Sequence, residues 1–303
     1  MHIVLPGALP DPEVAADLAP HLTQHAPTLA QWFLYGAVQE TASAAAQTWC
    51  TPVEHWMLGA RGFTPSQAEH ISAGLGPLRA QASDDDPVWL AELIHMSPSR
   101  DGAALLTADT LNITTEHSEA LLASAQEFAQ DADLHFSLES PTTWRVHGAA
   151  LQGLACASPA LVAVSSVNDW WPQEAAARPW RRLINTLQMA WYEHPVNQTR
   201  AQEGLAPINS LWLYGGARPS QLQHPLPQDL QLEPALSSYA TRQDWGGWLQ
   251  ALAALEQECF APLAKNPPTL ILTGRDRFLS VTVPARWWQR LKARDWRRWW
   301  CNR

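Results

Sequence analysis

The sequence predicts an α/β protein, with a mostly parallel core sheet flanked by helices and an inserted β-β-α-β-β (α+β) module. Three observations predict it. Short apolar runs at 2–5, 209–214 and 269–274 are separated by helical stretches, as the strands of a parallel sheet are. Between the first two, residues 88–147 read strand, strand, helix, strand, strand. Hydrophobic residues make up 46% of the 303 positions, enough for a substantial core. The expected division is 1–84 with 205–303 as the α/β core, and 85–204 as the inserted module with its connecting helices.

In chain order, His2 to Leu5 is an apolar run stopped by Pro6 and Gly7, which suits a buried strand. Residues 13–24 and 27–37 read as helices, with Leu18, Leu22, Leu29, Trp32 and Phe33 at rough helical spacing. Thr51-Pro52-Val53-Glu54 is a helix start: a Thr cap, Pro at the first helical position and an early acid. Thr64-Pro65-Ser66-Gln67 repeats that device, with Gln at the capping-box position. The acidic turn Ser83-Asp84-Asp85-Asp86-Pro87 marks a boundary.

Extended segments at 88–96 and 102–108 follow, then a helix over 115–130 for which Thr115 is the expected cap. Strands come next: Leu134, Phe136 and Leu138 alternate with polar residues, and 144–147 follow a turn. A helix ending near Trp170-Trp171-Pro172 is expected. Trp180, Leu183, Ile184, Leu187 and Trp191 then put one apolar stripe on the helix that begins at Arg178. Residues 217–234, rich in Pro and Gln, read as a surface loop. A helix spans 243–260, 269–273 and 278–283 form a hairpin, and a helix-like RWWQRLKARDWRRWW closes the chain.

Composition narrows the function. Charged residues are 16%, against about 25% in typical globular chains, and no apolar run reaches the ~20 residues of a membrane helix. The N-terminus has no basic segment followed by a long apolar stretch, so the expected location is cytoplasmic. The four cysteines form no C-x-x-C pair and are expected to be small buried hydrophobes, with no metal and no cofactor implied. A net charge of −9 argues against nucleic acid, apart from the basic Trp/Arg stretch at 286–303. That stretch reads better as a terminal helix docking its Trp face. Seventeen Trp residues exceed what a core needs, which points to a groove or interface as well.

Special residues crowd into Arg178 to Gly216. Asn197 precedes a short helix, Arg200 lies on its first turn, and Gly204 fits a helix end. Asn209 and Ser210 open an apolar strand that ends on Gly215-Gly216. Ligands bind at the carboxyl ends of strands in open α/β sheets, and Arg forks match phosphate and carboxylate. The candidate site for a small anionic ligand is therefore Arg182, Asn185, His194, Asn197, Arg200, Asn209 and Ser210. The same residue types also suit a structural corner, where Asn, His and Arg satisfy backbone groups.

Taken whole, the chain resembles the RpfE-like family of bacterial regulatory proteins. CTPVEHWMLGARG, the β-β-α-β-β region and RRLINTLQMAWYEHPVN carry that resemblance. HPVNQTRAQEGLAPIN is also similar to a signature of archaeal-type cofactor-independent phosphoglycerate mutases, in the alkaline phosphatase superfamily. His194, Pro195, Asn197, Arg200, Gly204, Pro207 and Asn209 match it. That resemblance implies two divalent metals held by Asp and His beside a Ser or Thr nucleophile. It also implies an N-terminal strand running into Asp-Gly and a late Asp-His dipeptide. Here the strand runs into Pro6-Gly7, and no Asp-His exists. The expectation is a regulatory-type, non-catalytic relative that binds a small anion or a protein partner. The alternatives are a divergent metal-dependent mutase or phosphohydrolase, and a Trp-rich interaction adaptor.

Overall fold

A computed structural model describes residues 1–100, 102–284 and 295–301. Its first elements are β1 (His2–Pro6), α1 (Pro12–His25), α2 (Pro27–Tyr35), β2 (Ala37–Ala42), α3 (Ala45–Thr48), α4 (Pro52–Ala60) and α5 (Leu75–Arg79). The middle holds β3 (Trp89–Ser99), β4 (Gly102–Leu106), α6 (Thr115–Asp131), β5 (His135–Ser140), β6 (Thr143–His147), α7 (Pro159–Ala163) and α8 (Val167–Trp170). Then come α9 (Arg178–Tyr192), α10 (Pro195–Gln202), β7 (Ser210–Gly215), β8 (Leu230–Leu232), α11 (Ser237–Arg242) and α12 (Trp245–Leu255). The last are β9 (Thr269–Thr273), β10 (Arg277–Thr282) and α13 (Arg297–Trp300). The protein is an α/β fold with two sheets, and no described helix is long and apolar enough to cross a membrane.

The chain divides into two compact units. The first comprises Met1–Ala45, His55–Ala60 and Pro225–Arg303. Its sheet has the order β2-β10-β9-β1-β8. β1 is parallel to both neighbours, whereas β10 is antiparallel to β9 and to β2. The sheet is thus mixed rather than mostly parallel. The tight β9–β10 hairpin forces one antiparallel pairing, and β2 adds a second at the edge. Ile3, Leu5, Leu270, Leu272, Leu279 and Val281 fill the core with Trp32, Phe33 and Phe260. β2 and β8 were not expected. β2 reads AVQETA, with no apolar alternation, and it exists because it completes an edge.

The second unit comprises Ala46–Glu54 and Arg61–His224. Its sheet is the anticipated β-β-α-β-β module with one strand more. β3 is its axis: Trp89–Glu92 pair with β6 on one side and with β7 on the other, and His95–Ser99 pair with β4. β7 was expected in the first sheet, and that expectation is corrected. All six of its residues are buried, so its apolar pattern could not say which sheet would take it. Asn209 sets the pairing, since its side chain accepts from the Met96 N–H (2.7 Å) and donates to the Met96 carbonyl (2.8 Å). Consequently residues 205–224 belong to the second unit.

One face of this sheet is covered by α6 and α9. Leu121, Ala125 and Ala129, with all five residues of the α9 stripe, pack on Ala91, Leu93, Trp144, Leu211 and Leu213. The indoles of Trp144 and Trp191 donate to Ser118 (2.8 Å) and Ser124 (3.0 Å) on α6. Thr114, one residue before the expected cap, closes the capping box of α6 with His117. Thr64 to Gln67 starts no helix. The segment is irregular, and the Glu69 carboxylate takes the Ser66 N–H (2.7 Å) as a local turn. The C-terminal helix expected over 286–300 lies mostly outside the described residues.

Glycines allow the close approach of these strands. A Cβ on Gly76 would sit 1.9 Å from the Val88 carbonyl, which is backbone and cannot yield. Gly76→Ala should therefore cost at least about 2 kcal/mol by overpacking. Urea unfolding would read this as a lower midpoint.

Candidate functional site

The sequence-predicted residues do not form one cluster. Arg182 and Asn185 are exposed on the outer side of α9. Arg182 lies roughly 18 Å along the helix axis from the level of His194, at 1.5 Å per residue. His194, Asn197 and Arg200 gather at the corner between α9 and α10, and Asn209 and Ser210 open β7.

At the corner, each polar side chain serves the chain's own backbone. His194 caps α10, its Nδ1 accepting from the Val196 N–H (3.2 Å). The Asn197 amide donates to the carbonyls of Trp191 and Ile208, both at 2.8 Å, and accepts from the Ile208 N–H at 2.8 Å. It therefore staples the end of α9 to the entry of β7. Arg200 is 0% exposed. Its Nε donates to the Ala206 carbonyl (2.9 Å), and its two terminal nitrogens reach the carbonyls of Asn112 and Leu111. Nη1 also lies 3.3 Å from His117 Nδ1. Burial lowers the Arg200 guanidinium below its ordinary value, and no described carboxylate pairs with it. Buried carbonyls replace an anion as its partners.

The strand end proposed to receive a ligand leaves only a small cavity of about 20 Å³, lined in part by Trp89, Cys156, Gly215 and Gly216. Gly216 donates its N–H to the Val88 carbonyl (2.8 Å), and a Cβ on Gly216 would meet the Trp89 ring at 2.4 Å. Paired glycines stand there because an indole and a strand approach them. The Ser210 hydroxyl is buried without a partner.

A second polar cluster was not visible in the sequence. Glu54, read only as part of a helix start, does hold the N–H (2.9 Å) and hydroxyl (3.0 Å) of Thr51. It also accepts from Ser158 Oγ (2.6 Å) and bridges Arg79 (2.5 Å). The Arg79 guanidinium lies over the Tyr214 ring, 5.2 Å from its centre. Burial is the largest single influence and opposes its charge, but Glu54, Tyr214 and Glu92 together outweigh it and hold Arg79 above its ordinary value. Glu92 on β3 is raised by burial, against the Ala108 N–H that it accepts (3.1 Å) and the attraction of Arg79. Six residues scattered between Thr51 and Tyr214 carry no spacing signal, and only the folded chain joins them. The four cysteines are buried as expected, and burial pushes the Cys156 thiol up to about 12.

Comparison with protein-family models finds no match. Over 158 residues the chain is 23% identical to a probable 2,3-bisphosphoglycerate-independent phosphoglycerate mutase of Geobacter sulfurreducens. The match covers 51% of this chain and 37% of that protein, so the chain spans well under half of the relative's length. Among solved structures it is similar to the PH0037 protein of Pyrococcus horikoshii, at a TM-score of 0.49 and 12% identity, covering 96% of this chain and 91% of that one. A cofactor-independent phosphoglycerate mutase of Thermoplasma acidophilum gives a TM-score of 0.33 and 14% identity, covering 93% and 89%. The resemblance to phosphoglycerate mutases is thus a distant one.

Two outcomes are expected. Asn197→Ala orphans three buried backbone groups and should cost on the order of 3 kcal/mol in urea unfolding. Arg200→Lys should be nearly as damaging as Arg200→Ala, because an ammonium cannot reproduce the fork onto three carbonyls. Burial also holds the imidazoles of His95 and His194 below their ordinary value near 6.5. The unfolded chain then takes up protons more readily than the folded one. Both groups contribute stability above that value, and it is lost as pH falls below it. Urea midpoints from pH 7.5 to 5.5 should fall, and less steeply in His95→Gln.

Proposed function

We propose that this chain is a non-catalytic, regulatory-type relative of the cofactor-independent phosphoglycerate mutases that acts by binding a protein partner. The observation that carries the proposal is at the carboxyl end of β1, the strand that the family resemblance expects to deliver a metal-binding Asp. Here β1 ends in Pro6-Gly7. The Gly7 carbonyl accepts from the Trp248 indole (3.0 Å), and the Ala8 carbonyl accepts from the Trp300 indole (3.0 Å). Both rings are essentially unexposed. In α/β sheets this end of the strands is where ligands bind. Two indoles and their hydrogen bonds fill it instead.

The described residues do not fit a dinuclear metal centre. Such a centre needs carboxylate and imidazole donors at short range, and among the described residues no three His, Cys, Asp or Glu side chains gather in that way. A phosphorylated ligand at the His194–Arg200 corner is supported less than a protein partner. Arg200 and Asn197, which would grip it, give their donors to main-chain carbonyls. Of the basic stretch, Arg286, Arg290, Lys292, Arg294 and Arg303 lie outside the described residues and carry no part of this reading.

One observation favours a second reading, a divergent metal-dependent mutase: the 158-residue match to a probable phosphoglycerate mutase. Elemental analysis of the purified protein and a mutase assay in Mn²⁺ separate the two. The expected result is no stoichiometric metal and no conversion of 3-phosphoglycerate above blank. Bound metal with turnover would overturn the non-catalytic reading.

A further inference from the structure

Along the strands of the second unit's sheet, alternate residues point away from α6 and α9. Phe136, Trp144, Ala91 and Leu213 pack toward those helices. Ser137 on β5, Arg145 on β6, Leu90 on β3 and Tyr214 on β7 therefore share the opposite face. In the ladder Arg145 stands directly across from Ser137 on one side and from Leu90 on the other. α5 and α7 lie against β7. Toward β5, an edge strand, this face opens: Ser137 and Thr143 are half-buried and His147 is exposed.

Arg145 differs from the other buried arginines among the described residues. It is only 8% exposed. Its Nη1 donates to the Gln81 carbonyl (3.2 Å), which is its one hydrogen bond among the described residues. Its Nε is enclosed without a partner. No described carboxylate lies at ion-pair distance from it. By contrast Arg200 holds three carbonyls, and Arg277 holds Glu40 and the Trp300 carbonyl. A guanidinium cannot escape burial by losing its proton. A buried cation with unmet donors is costly, and a neutral acceptor meets a donor without meeting the charge. An oxyanion meets both, because its oxygens accept from adjacent N–H groups of the fork.

We infer that Arg145 anchors a binding site for a small oxyanion, the phosphate or carboxylate group of a small molecule, entered over the open part of this face near β5. Nε and Nη2 are the donors left for it, and the Ser137 hydroxyl stands across the ladder on the open side. The surroundings limit what fits. Glu92 lies on the same face, paired with Thr143 two residues along. Asp84 and Asp86 of the acidic turn lie close enough to His147 to act on its imidazole. These carboxylates repel a polyanion, whereas a single anionic group neutralises the one uncompensated guanidinium. The ligand is therefore a small molecule and not a nucleic acid. The site stands apart from the protein-partner reading above and does not depend on it.

Calorimetric titration of the full chain with inorganic phosphate, and separately with acetate, at constant ionic strength tests this. At least one probe should bind at a single site with a dissociation constant on the order of 1 mM, and the probe that binds identifies the oxyanion. That probe in excess should also raise the melting midpoint. Arg145→Met removes the cation and keeps an apolar stem. Without anion it should melt no lower than the wild type, because it strands no buried charge, and it should bind at least about tenfold more weakly. Should Arg145→Met fail to fold, Arg145→Lys carries the same test: the charge stays, the fork is lost and affinity should fall several-fold. A wild-type chain that binds neither probe up to about 30 mM, or a variant that binds with wild-type affinity, overturns the inference.

Discussion

The second unit depends on how the chain turns from α9 into β7. Asn197 ties the last turn of α9 to Ile208, Arg200 holds three carbonyls, and Asn209 clasps Met96. These bonds bring β7 alongside β3 in a single register. A slip of one residue would turn Leu211 and Leu213 away from the helices, so the polar corner and the apolar core specify the same answer. The cost is a fully buried guanidinium without a carboxylate. It is tolerated because carbonyl oxygens at hydrogen-bond distance replace the water it loses.

Five of the tryptophans follow a similar logic, whereas the buried indole nitrogen of Trp299 has no hydrogen-bond partner among the described residues. The indole N–H of Trp144 and Trp191 finds a serine hydroxyl, and that of Trp212, Trp248 and Trp300 finds a backbone carbonyl. Each ring therefore buries a large apolar surface without stranding its donor. In the first unit two of them donate to the carbonyls of Gly7 and Ala8, just past the end of β1. What made the sequence look rich in interaction surface is in large part internal packing. The exposed apolar groups that remain on the α6–α9 layer are a Met and a Tyr.

A resemblance to an enzyme family's signature is compatible with a different use of the same residues. Sequence matching records that His194, Asn197, Arg200 and Asn209 stand at given spacings. It does not record where their donors point. An Arg that binds phosphate and an Arg that clamps a loop look alike until the loop carbonyls are located, and here Ala206, Leu111 and Asn112 supply them.

Elements whose cause is local were legible in the residues alone. The stripe from Trp180 to Trp191 required a helix with one buried face, and Thr51 to Glu54 required a helix start. The alternation around Phe136 required a half-buried strand, and the order of elements from 88 to 147 required the β-β-α-β-β module. Which strands share a sheet was set by long-range packing. The wholly buried β7 and the polar β2 carry no pattern that names a partner, because long-range pairing is set by side chains far away in sequence. Tertiary structure likewise decided what the polar segment does. Residue types fix which hydrogen bonds are possible, and the fold fixes which groups lie within reach to make them.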